Sequence, residues 1–123
     1  MSKKNKLTKK QFSVAIEGDT ERPFTGIYNI EKRKGSYVCV VCDSKLFSSS
    51  TKYESGTGWP AFYAPYSDNA VSNHQDNSHG MERIEVKCKE CDAHLGHVFN
   101  DGPQPSGLRY CINSVVLKFI EEK

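Results

Sequence analysis

The sequence contains no apolar run approaching the roughly 18 residues that a membrane-spanning helix requires. It also has no internal repeat and no low-complexity segment beyond Ser48–Ser50. The first 11 residues are rich in lysine and no apolar stretch follows them, so we do not expect a secretory signal. A chain of 123 residues has room for one hydrophobic core. These absences predict a single-domain protein of the cytoplasm with no membrane partner.

A strong excess of either charge is also absent from most of the chain. The first ten residues contain no acid and five lysines, while the remainder carries 12 basic and 15 acidic side chains. The lysine-rich end could contact an acidic surface, but a solvated terminus is the simpler interpretation. We therefore expect a basic disordered tail over residues 1–6, one domain over residues 7–123, and no nucleic-acid partner.

Short β-rich segments separated by turns predict a mainly all-β fold with one or two short helices. Residues Thr8–Glu17 fit one amphipathic helix, with Phe12, Ala15 and Ile16 on a common face. The stretch Tyr53–His79 is predicted to be a long irregular loop. In a compact domain, a loop of this length is usually either functional or held in place by other contacts. The strands are predicted at Tyr37–Val41, Arg83–Lys87, His97–Phe99 and Leu108–Ile120.

Four of the five cysteines form two Cys-x-x-Cys pairs, Cys39 with Cys42 and Cys88 with Cys91, separated by 45 residues. Two such turns can supply four thiolates to one tetrahedral metal site, and zinc suits this shell because it is redox-inert. The pattern predicts one structural Zn²⁺. Two disulfides or a redox-active pair are the alternatives, but a reducing compartment and two matched copies favour the metal.

The fifth cysteine, Cys111, lies in a segment whose residues alternate in character. In a strand, Arg109, Cys111 and Asn113 would lie on one face, and Tyr110 and Ile112 on the other. A neighbouring guanidinium lowers the pKa of a thiol, and the amide of Asn113 could donate to a substrate or to the sulfur. A reactive cysteine and a buried, inert one explain this stretch equally well.

Two histidines, His94 and His97, follow directly on the Cys91 turn. On a straight strand, side chains three residues apart point to opposite faces, so the pair converges only if Gly96 bends the backbone. Histidine titrates near neutral pH and is a common proton donor beside a nucleophilic thiolate. The pattern favours a functional pair, with a structural pair as the alternative.

A glycine-flanked loop, Ser55–Phe62 (SGTGWPAF), carries Trp59, which is the single tryptophan of the chain. Because a proline follows the indole directly, the loop is suited to hold Trp59 rigidly against a ligand. The alternative is that Trp59 is an ordinary buried residue of the hydrophobic core.

Taken in this order, the motifs resemble those of the methionine-R-sulfoxide reductase B family from Leu7 to about Phe119. The resemblance implies a zinc-bound fold of two small antiparallel sheets. It also implies reduction of the R epimer of methionine sulfoxide, mainly within oxidised proteins, with thioredoxin or another thiol as reductant. The matching segments are Thr20–Gly26 (TERPFTG), the two Cys-x-x-Cys pairs, Ser55–Phe62, Ser78–Val86 (SHGMERIEV), His94–Pro103 (HLGHVFNDGP) and Gly107–Ser114 (GLRYCINS).

The same resemblance implies roles for single residues. Cys111 would be the nucleophile, and Trp59 would pack against the substrate methyl group. The family's other polar active-site positions, and an apolar one, correspond to His94, His97, Asn113, Arg109, Asp101 and Phe99. We expect Arg109 to favour the Cys111 thiolate and His97 to protonate the sulfoxide oxygen, assisted by His94 and Asn113, with Asp101 among the substrate-binding residues.

One position departs from the family pattern. Many members have a resolving cysteine between the two glycines of the loop, where this chain has Thr57, and there is no sixth cysteine. The resemblance therefore implies a one-cysteine variant in which an external thiol reduces a Cys111 sulfenic acid. A monomer is expected. A non-catalytic binding module and a thiol peroxidase are the rival functions.

Overall fold

The computed structural model describes residues 6–29, 31–77 and 82–122. Most of the predicted tail, and the first four residues of the SHGMERIEV motif, lie outside these ranges. The described chain forms one α-helix, α1 (Lys9–Ala15), and nine strands. The strands are β1 (Gly35–Cys39), β2 (Lys45–Ser48), β3 (Lys52–Tyr53), β4 (Ala61–Phe62), β5 (Val71–Asp76), β6 (Arg83–Cys88), β7 (His94–Phe99), β8 (Arg109–Ile112) and β9 (Leu117–Glu121).

The strands form two antiparallel sheets, as the family resemblance implied. The smaller has three strands in the order β2-β1-β9, and the larger has six in the order β3-β4-β8-β7-β6-β5. The prediction of a mainly β fold is thus confirmed. In the part of the chain that the structure describes, no helix is long and apolar enough to cross a membrane.

The core lies between the two sheets and is rich in aromatic rings. Phe47 of β2 stacks on Phe62 of β4, with ring centroids 4.4 Å apart and an angle of 16° between the planes. Tyr37 of β1 meets Phe62 edge-on at 5.2 Å, and Tyr110 of β8 lies 5.8 Å from Phe47. Because Phe47 and Phe62 come from different sheets and are both fully buried, their contact joins the two layers.

The predicted β-rich segment Leu108–Ile120 contains two strands, which belong to different sheets. β8 ends at Ile112, a 3₁₀ turn occupies Ser114–Val116, and β9 then enters the smaller sheet. The Ser114 hydroxyl accepts a hydrogen bond from the amide of Tyr28, which anchors this corner. Both strands face the same core, so their apolar residues continue through the corner and the sequence pattern does not reveal it.

The prediction that Tyr53–His79 is irregular is wrong in part, because the segment contains β4 and β5. β5 is an edge strand that pairs with β6 alone, and residues Asn73 to Gln75 are exposed. An edge strand buries little of its surface. Its polar composition therefore resembles that of a loop.

The short helix is confirmed, and of the three residues that were predicted to share a face only Ala15 is buried. The helix begins with a capping box, in which the Thr8 hydroxyl accepts from the Gln11 amide and the Gln11 side chain accepts from the Thr8 amide. Val14 and Ala15 are buried, whereas Phe12 and Ile16 are each 47% exposed. The helix packs against the 114–116 turn and β7, and only about two residues of so short a helix reach them.

We expect Phe62→Ala to lower the free energy of unfolding by about 3–5 kcal/mol, because it removes a fully buried ring that joins the two sheets. Chemical denaturation of the metal-saturated protein measures this loss. Ile120→Ala is the control, since Ile120 is 51% exposed and should change stability by about 0.5 kcal/mol or less. Equal losses for the two variants would contradict this description of the core.

Candidate active site and metal centre

Four cysteine thiols converge where the two sheets meet. Cys39 ends β1 in the smaller sheet and Cys88 ends β6 in the larger one, and Cys42 and Cys91 lie in the turns that follow. The four sulfur atoms lie within 4.8 Å of one another. Cys39 Sγ is 3.7 Å from Cys91 Sγ, and Cys42 Sγ is 3.6 Å from Cys88 Sγ. All five cysteines of the chain are among the described residues, and none forms a disulfide.

These distances fit one tetrahedrally coordinated metal ion. A tetrahedral site with metal–sulfur bonds of about 2.3 Å has sulfur–sulfur edges of about 3.8 Å. Interaction with Cys88, together with burial, raises the pKa of the Cys39 thiol, so four thiolates this close together require a cation. The cluster is therefore positioned to bind a metal ion in a closed shell, with no place for substrate.

The two cysteine turns have the same backbone geometry. In each, the carbonyl of the first cysteine accepts a hydrogen bond of 2.8 Å from the amide of the residue four positions later. That residue is an aspartate with left-handed backbone angles, Asp43 (φ 64°) in the first turn and Asp92 (φ 63°) in the second. Aspartate tolerates this conformation better than most residues. The Asp that follows each Cys-x-x-Cys pair is thus a sequence signal of the turn.

Strand register brings the predicted catalytic residues onto one face of the larger sheet. His97 of β7 pairs with Cys111 of β8 on one side and with Glu85 of β6 on the other. Phe99 pairs with Arg109 one row further along. Directly paired residues project to the same face, so these side chains form two adjacent rows.

The opposite face of β8 belongs to the core. Tyr110 and Ile112 are buried there, while Arg109 and Cys111 are partly exposed in a cavity of about 300 Å³. The alternation predicted for this segment is therefore observed. The cavity is lined by six of the predicted site residues, namely Trp59, His97, Phe99, Arg109, Cys111 and Asn113, together with Thr20, Thr57, Arg83 and Gly96.

A β-bulge brings the two histidines together. Gly96 pairs with Val86 and His94 with Lys87, so β7 has one extra residue between these pairs. The rings of His94 and His97 consequently lie 5.6 Å apart. The bulge is next to Gly96, whose backbone approaches β8 so closely that a Cβ atom there would lie 2.1 Å from the Cys111 carbonyl oxygen. Glycine is required at this position by close packing.

Two predicted site residues lie outside the cavity lining. His94 is buried, with its Nδ1 2.6 Å from Glu85 Oε2. Asp101 accepts two hydrogen bonds from the Arg109 guanidinium, at 2.8 and 3.1 Å. The ion pair holds Arg109 in place, and the guanidinium carbon lies 4.4 Å from the centre of the Phe99 ring. Asp101 therefore does not line the cavity itself, but it binds Arg109, which does.

The environment of Cys111 keeps its thiol protonated more strongly than a free cysteine. Burial raises the pKa of Cys111, and a hydrogen bond with Thr57 and the charge of Arg109 oppose this increase without cancelling it. Thr57 Oγ1 lies 3.7 Å from the sulfur and 2.7 Å from the Ser55 hydroxyl. Arg109 therefore acts in the expected direction, but burial outweighs it.

His97 is shifted in the complementary direction. Burial lowers the pKa of His97, a hydrogen bond with Asp76 opposes this decrease, and electrostatic interactions with Arg83 and His94 add to it. These directions favour a protonated thiol beside a neutral imidazole. The thiol–imidazole pair and the thiolate–imidazolium pair differ only in the position of one proton, so one can convert to the other without exchange with solvent.

A buried backbone segment holds the indole. The Trp59 Nε1–H donates to the carbonyl of Glu21 at 3.0 Å, and the Glu21 amide donates to Asn113 Oδ1 at 3.0 Å. The Asn113 side-chain amide in turn donates to the Leu95 carbonyl at 2.9 Å. Both ends of the Asn113 side chain are thus bound to backbone, and Asn113 connects the Trp59 loop to the sheet.

Sequence reasoning missed several residues around the site. Asp76 and Glu85 each bind one of the two histidines, and Arg83 lines the cavity. Glu21, only 4% exposed, accepts a hydrogen bond from the amide of Val115. Two of these carried a signal, because Arg83 and Glu85 are polar residues that alternate with apolar ones along β6.

The protein has one thiol in a cavity that contains aromatic side chains, and four more thiols clustered elsewhere. This arrangement defines a class of thiol-dependent proteins with a β fold that can bind a metal. The family model described as "SelR domain" matches residues 7–121. Three relatives are named "Peptide methionine sulfoxide reductase MsrB". The protein of Pseudomonas putida (strain W619) is 61% identical over 113 residues, covering 92% of this chain and 85% of that protein.

The relative from Pseudomonas fluorescens (strain Pf0-1) is 59% identical over 114 residues, covering 93% of this chain and 87% of its own. The one from Leptospira interrogans serogroup Icterohaemorrhagiae serovar Lai (strain 56601) is 56% identical over 119 residues, covering 97% and 91%. The chain therefore belongs to the SelR family, which is the methionine-R-sulfoxide reductase B family that its motifs predicted.

Removing one clustered cysteine should release the metal and unfold the protein, because the thiolates join the two sheets. We expect Cys88→Ser to lose bound metal, measured by elemental analysis, together with cooperative thermal unfolding. Cys111→Ser is the matched control and should keep both, since Cys111 lies outside the cluster. A Cys88→Ser protein with full metal content and stability would contradict the four-cysteine site.

The alkylation rate of Cys111 should continue to rise with pH beyond the ordinary thiol pKa of about 8.5, because burial disfavours the thiolate. Thr57→Val should move the titration to still higher pH, since it removes the hydroxyl that stabilises the thiolate while keeping the side-chain shape. Iodoacetamide labelling followed by peptide mass spectrometry measures both titrations. An unchanged or lowered pKa in Thr57→Val would refute the role of this hydroxyl.

Proposed function

We propose that this protein is a peptide-methionine (R)-S-oxide reductase, which returns the R epimer of methionine sulfoxide in oxidised proteins to methionine. The observation that carries the proposal is the position of the Cys111 thiol in a cavity that is lined by both polar and aromatic side chains. His97 and Arg109 supply the polar groups, and Trp59 and Phe99 supply the aromatic rings. A sulfoxide group likewise has a polar oxygen and an apolar methyl group.

The presence of both polar and aromatic groups in the cavity supports a choice between epimers. The sulfur of a sulfoxide carries an oxygen, a methyl group and the rest of the side chain in one handed arrangement. If the methyl group packs against Trp59 and Phe99 and the oxygen faces His97, only one epimer leaves its sulfur open to Cys111. The other epimer would place its oxygen against the aromatic rings, where no donor compensates for the lost hydration.

Oxygen transfer to Cys111 accounts for every atom and electron. The Cys111 sulfur attacks the sulfoxide sulfur and an S–S bond forms while the oxygen is protonated and its bond to the substrate sulfur breaks. The released hydroxide or water then bonds to the Cys111 sulfur, and the S–S bond breaks with its electron pair leaving on the substrate sulfur. The substrate is thereby reduced by two electrons to the thioether, and Cys111 is oxidised by two electrons to a sulfenic acid. His97 is the proton donor in this proposal. A thiol and a neutral imidazole can first become a thiolate and an imidazolium, so the acid needs no proton from solvent.

The arrangement around the thiol supports reduction by an external thiol. Thr57, whose hydroxyl lies 3.7 Å from Cys111 Sγ, occupies the place where a resolving cysteine would act. The other four cysteines belong to the metal cluster. A second thiol must therefore attack the sulfenic acid, releasing water and forming a mixed disulfide that a further thiol cleaves. Thioredoxin in the cytoplasm is the reductant we propose, acting on a monomeric enzyme.

Zinc is the ion that we propose for the four-cysteine cluster. Four thiolates at tetrahedral separations favour Zn²⁺, which has no redox chemistry of its own. When bound, Zn²⁺ would stabilise the fold and take no part in the reaction. Cys39, Cys42, Cys88 and Cys91 would hold the ends of β1 and β6 together.

A dithiothreitol-driven assay with the separated R and S epimers tests the function. Wild-type protein should reduce the R epimer at least about 100-fold faster than the S epimer, and Cys111→Ser should reduce neither. Metal content confirms that the variant is folded. Turnover by Cys111→Ser would show that Cys111 is not the nucleophile. Faster consumption of peroxide than of either sulfoxide would favour a thiol peroxidase, and no turnover would favour a binding module.

One turnover without reductant tests the resolving step. We expect one sulfenic acid adduct at Cys111, trapped with a dimedone-type reagent, and no disulfide within the chain. Thr57→Cys is the converse variant, since its thiol would lie beside Cys111 and should form a disulfide with it after one turnover. A disulfide between Cys111 and a clustered cysteine in the wild-type protein, with metal loss, would overturn the one-cysteine mechanism.

A further inference from the structure

Each histidine of the pair has its own carboxylate. His97 Nε2 lies 2.7 Å from Asp76 Oδ2, and His94 Nδ1 lies 2.6 Å from Glu85 Oε2. Asp76 is the last residue of the edge strand β5, whereas His97 is on β7, so the carboxylate reaches across β6. The two carboxylates therefore engage different nitrogens of two neighbouring rings.

The Asp76 contact is well enclosed. Its side chain is 19% exposed and that of His97 is 11% exposed. Arg83, the partner of Asp76 in the β5–β6 ladder, places Nη2 3.7 Å from the same carboxylate oxygen. An ionised carboxylate in this position accepts hydrogen bonds and does not donate them. The neutral His97 ring must therefore carry its proton on Nε2, which leaves Nδ1 as the nitrogen that gains or loses a proton.

We propose that Asp76 is a positioning residue that holds His97 in the Nε2–H tautomer and presents Nδ1 to the reacting sulfoxide. The inference rests on the proposed function, in which His97 protonates the departing oxygen. His97 lies directly opposite Cys111 in the β7–β8 ladder and lines the cavity. The nitrogen not bound to Asp76 is thus the one available to a substrate attacked by that thiol.

Several charged groups around His97 determine how readily it becomes an imidazolium. Arg83 on β6 and His94 on the same strand disfavour the cation, and Asp76 on β5 favours it. Cys111 and Arg109 lie on β8, and Glu85, opposite His97 on β6, is engaged by His94. Asp76 is the one carboxylate hydrogen-bonded to His97 among the described residues, so its loss should make the cation harder to form.

The tautomer can be measured in the wild-type, metal-loaded protein by long-range ¹H–¹⁵N correlation of the histidine rings, at a pH where His97 is neutral. We expect His97 to carry its proton on Nε2. His97→Asn identifies the signals. A proton on Nδ1 would overturn the proposal. This measurement does not depend on turnover, so a protein inactive toward both epimers would refute the proposed function and leave the tautomer result interpretable.

Asp76→Asn keeps the shape of the side chain and removes its charge. The pKa of His97, followed by NMR titration, should fall, so the protonated fraction is lost at lower pH than in the wild type. The single-turnover rate should fall about 10- to 100-fold with little change in substrate affinity, which is less than the roughly 10²–10⁴-fold that loss of the general acid itself would cost.

Glu85→Gln is the matched control, because it makes the same change beside His94. It should shift the His97 titration less than Asp76→Asn does, because Glu85 is hydrogen-bonded to His94 and Asp76 to His97. Equal shifts of the His97 titration in the two variants, or none in Asp76→Asn, would overturn the assignment. If Asp76→Asn does not fold, the wild-type tautomer decides the question.

Discussion

The structure depends on the convergence of four thiols at the ends of β1 and β6, which belong to different sheets. Two sheets of three and six strands share one core of modest size, and a metal ion at this junction would close a long loop of chain. The turn that contains Cys91 leads directly into β7, so the same junction determines where His94 begins its strand. Metal binding and site geometry are thus connected through one short turn.

In the larger sheet, residues that alternate along a strand face either the hydrophobic core or the cavity. Tyr110 and Ile112 of β8 pack into the core, while Arg109 and Cys111 face the cavity. Every residue of this strand therefore serves one purpose or the other. The bulge beside Gly96 is the exception that the site requires, because without it His94 and His97 would lie on opposite faces of the sheet.

Burial in the cavity affects its two proton-exchanging groups in opposite ways. It favours the neutral form of both, and so raises the pKa of Cys111 and lowers that of His97. The resting site consequently avoids an exposed thiolate, which is the form most easily oxidised by other agents. In the reaction that we propose, a substrate that excludes water and presents its oxygen to His97 would favour the charge-separated pair of thiolate and imidazolium.

Residue patterns alone were enough to predict the family, through the resemblance of its motifs, and to identify four cysteines that could bind a metal. Local spacing indicated these cysteines, Cys111 and the histidine pair, whereas Phe99 was implied only by the family resemblance. The resemblance also predicted two antiparallel sheets. Such patterns are local, and each can be recognised within about ten residues.

The residues that surround the cavity from distant parts of the chain could be found only in the folded structure. Asp76 lies on a polar edge strand that resembles a loop, and its contact with His97 spans a strand between them. The break between β8 and β9 was likewise hidden, because both strands contribute to one core. Asn113 connects Glu21 to Leu95 rather than leaving its amide free. Contacts of this kind depend on strand order and register, which local residue patterns do not specify.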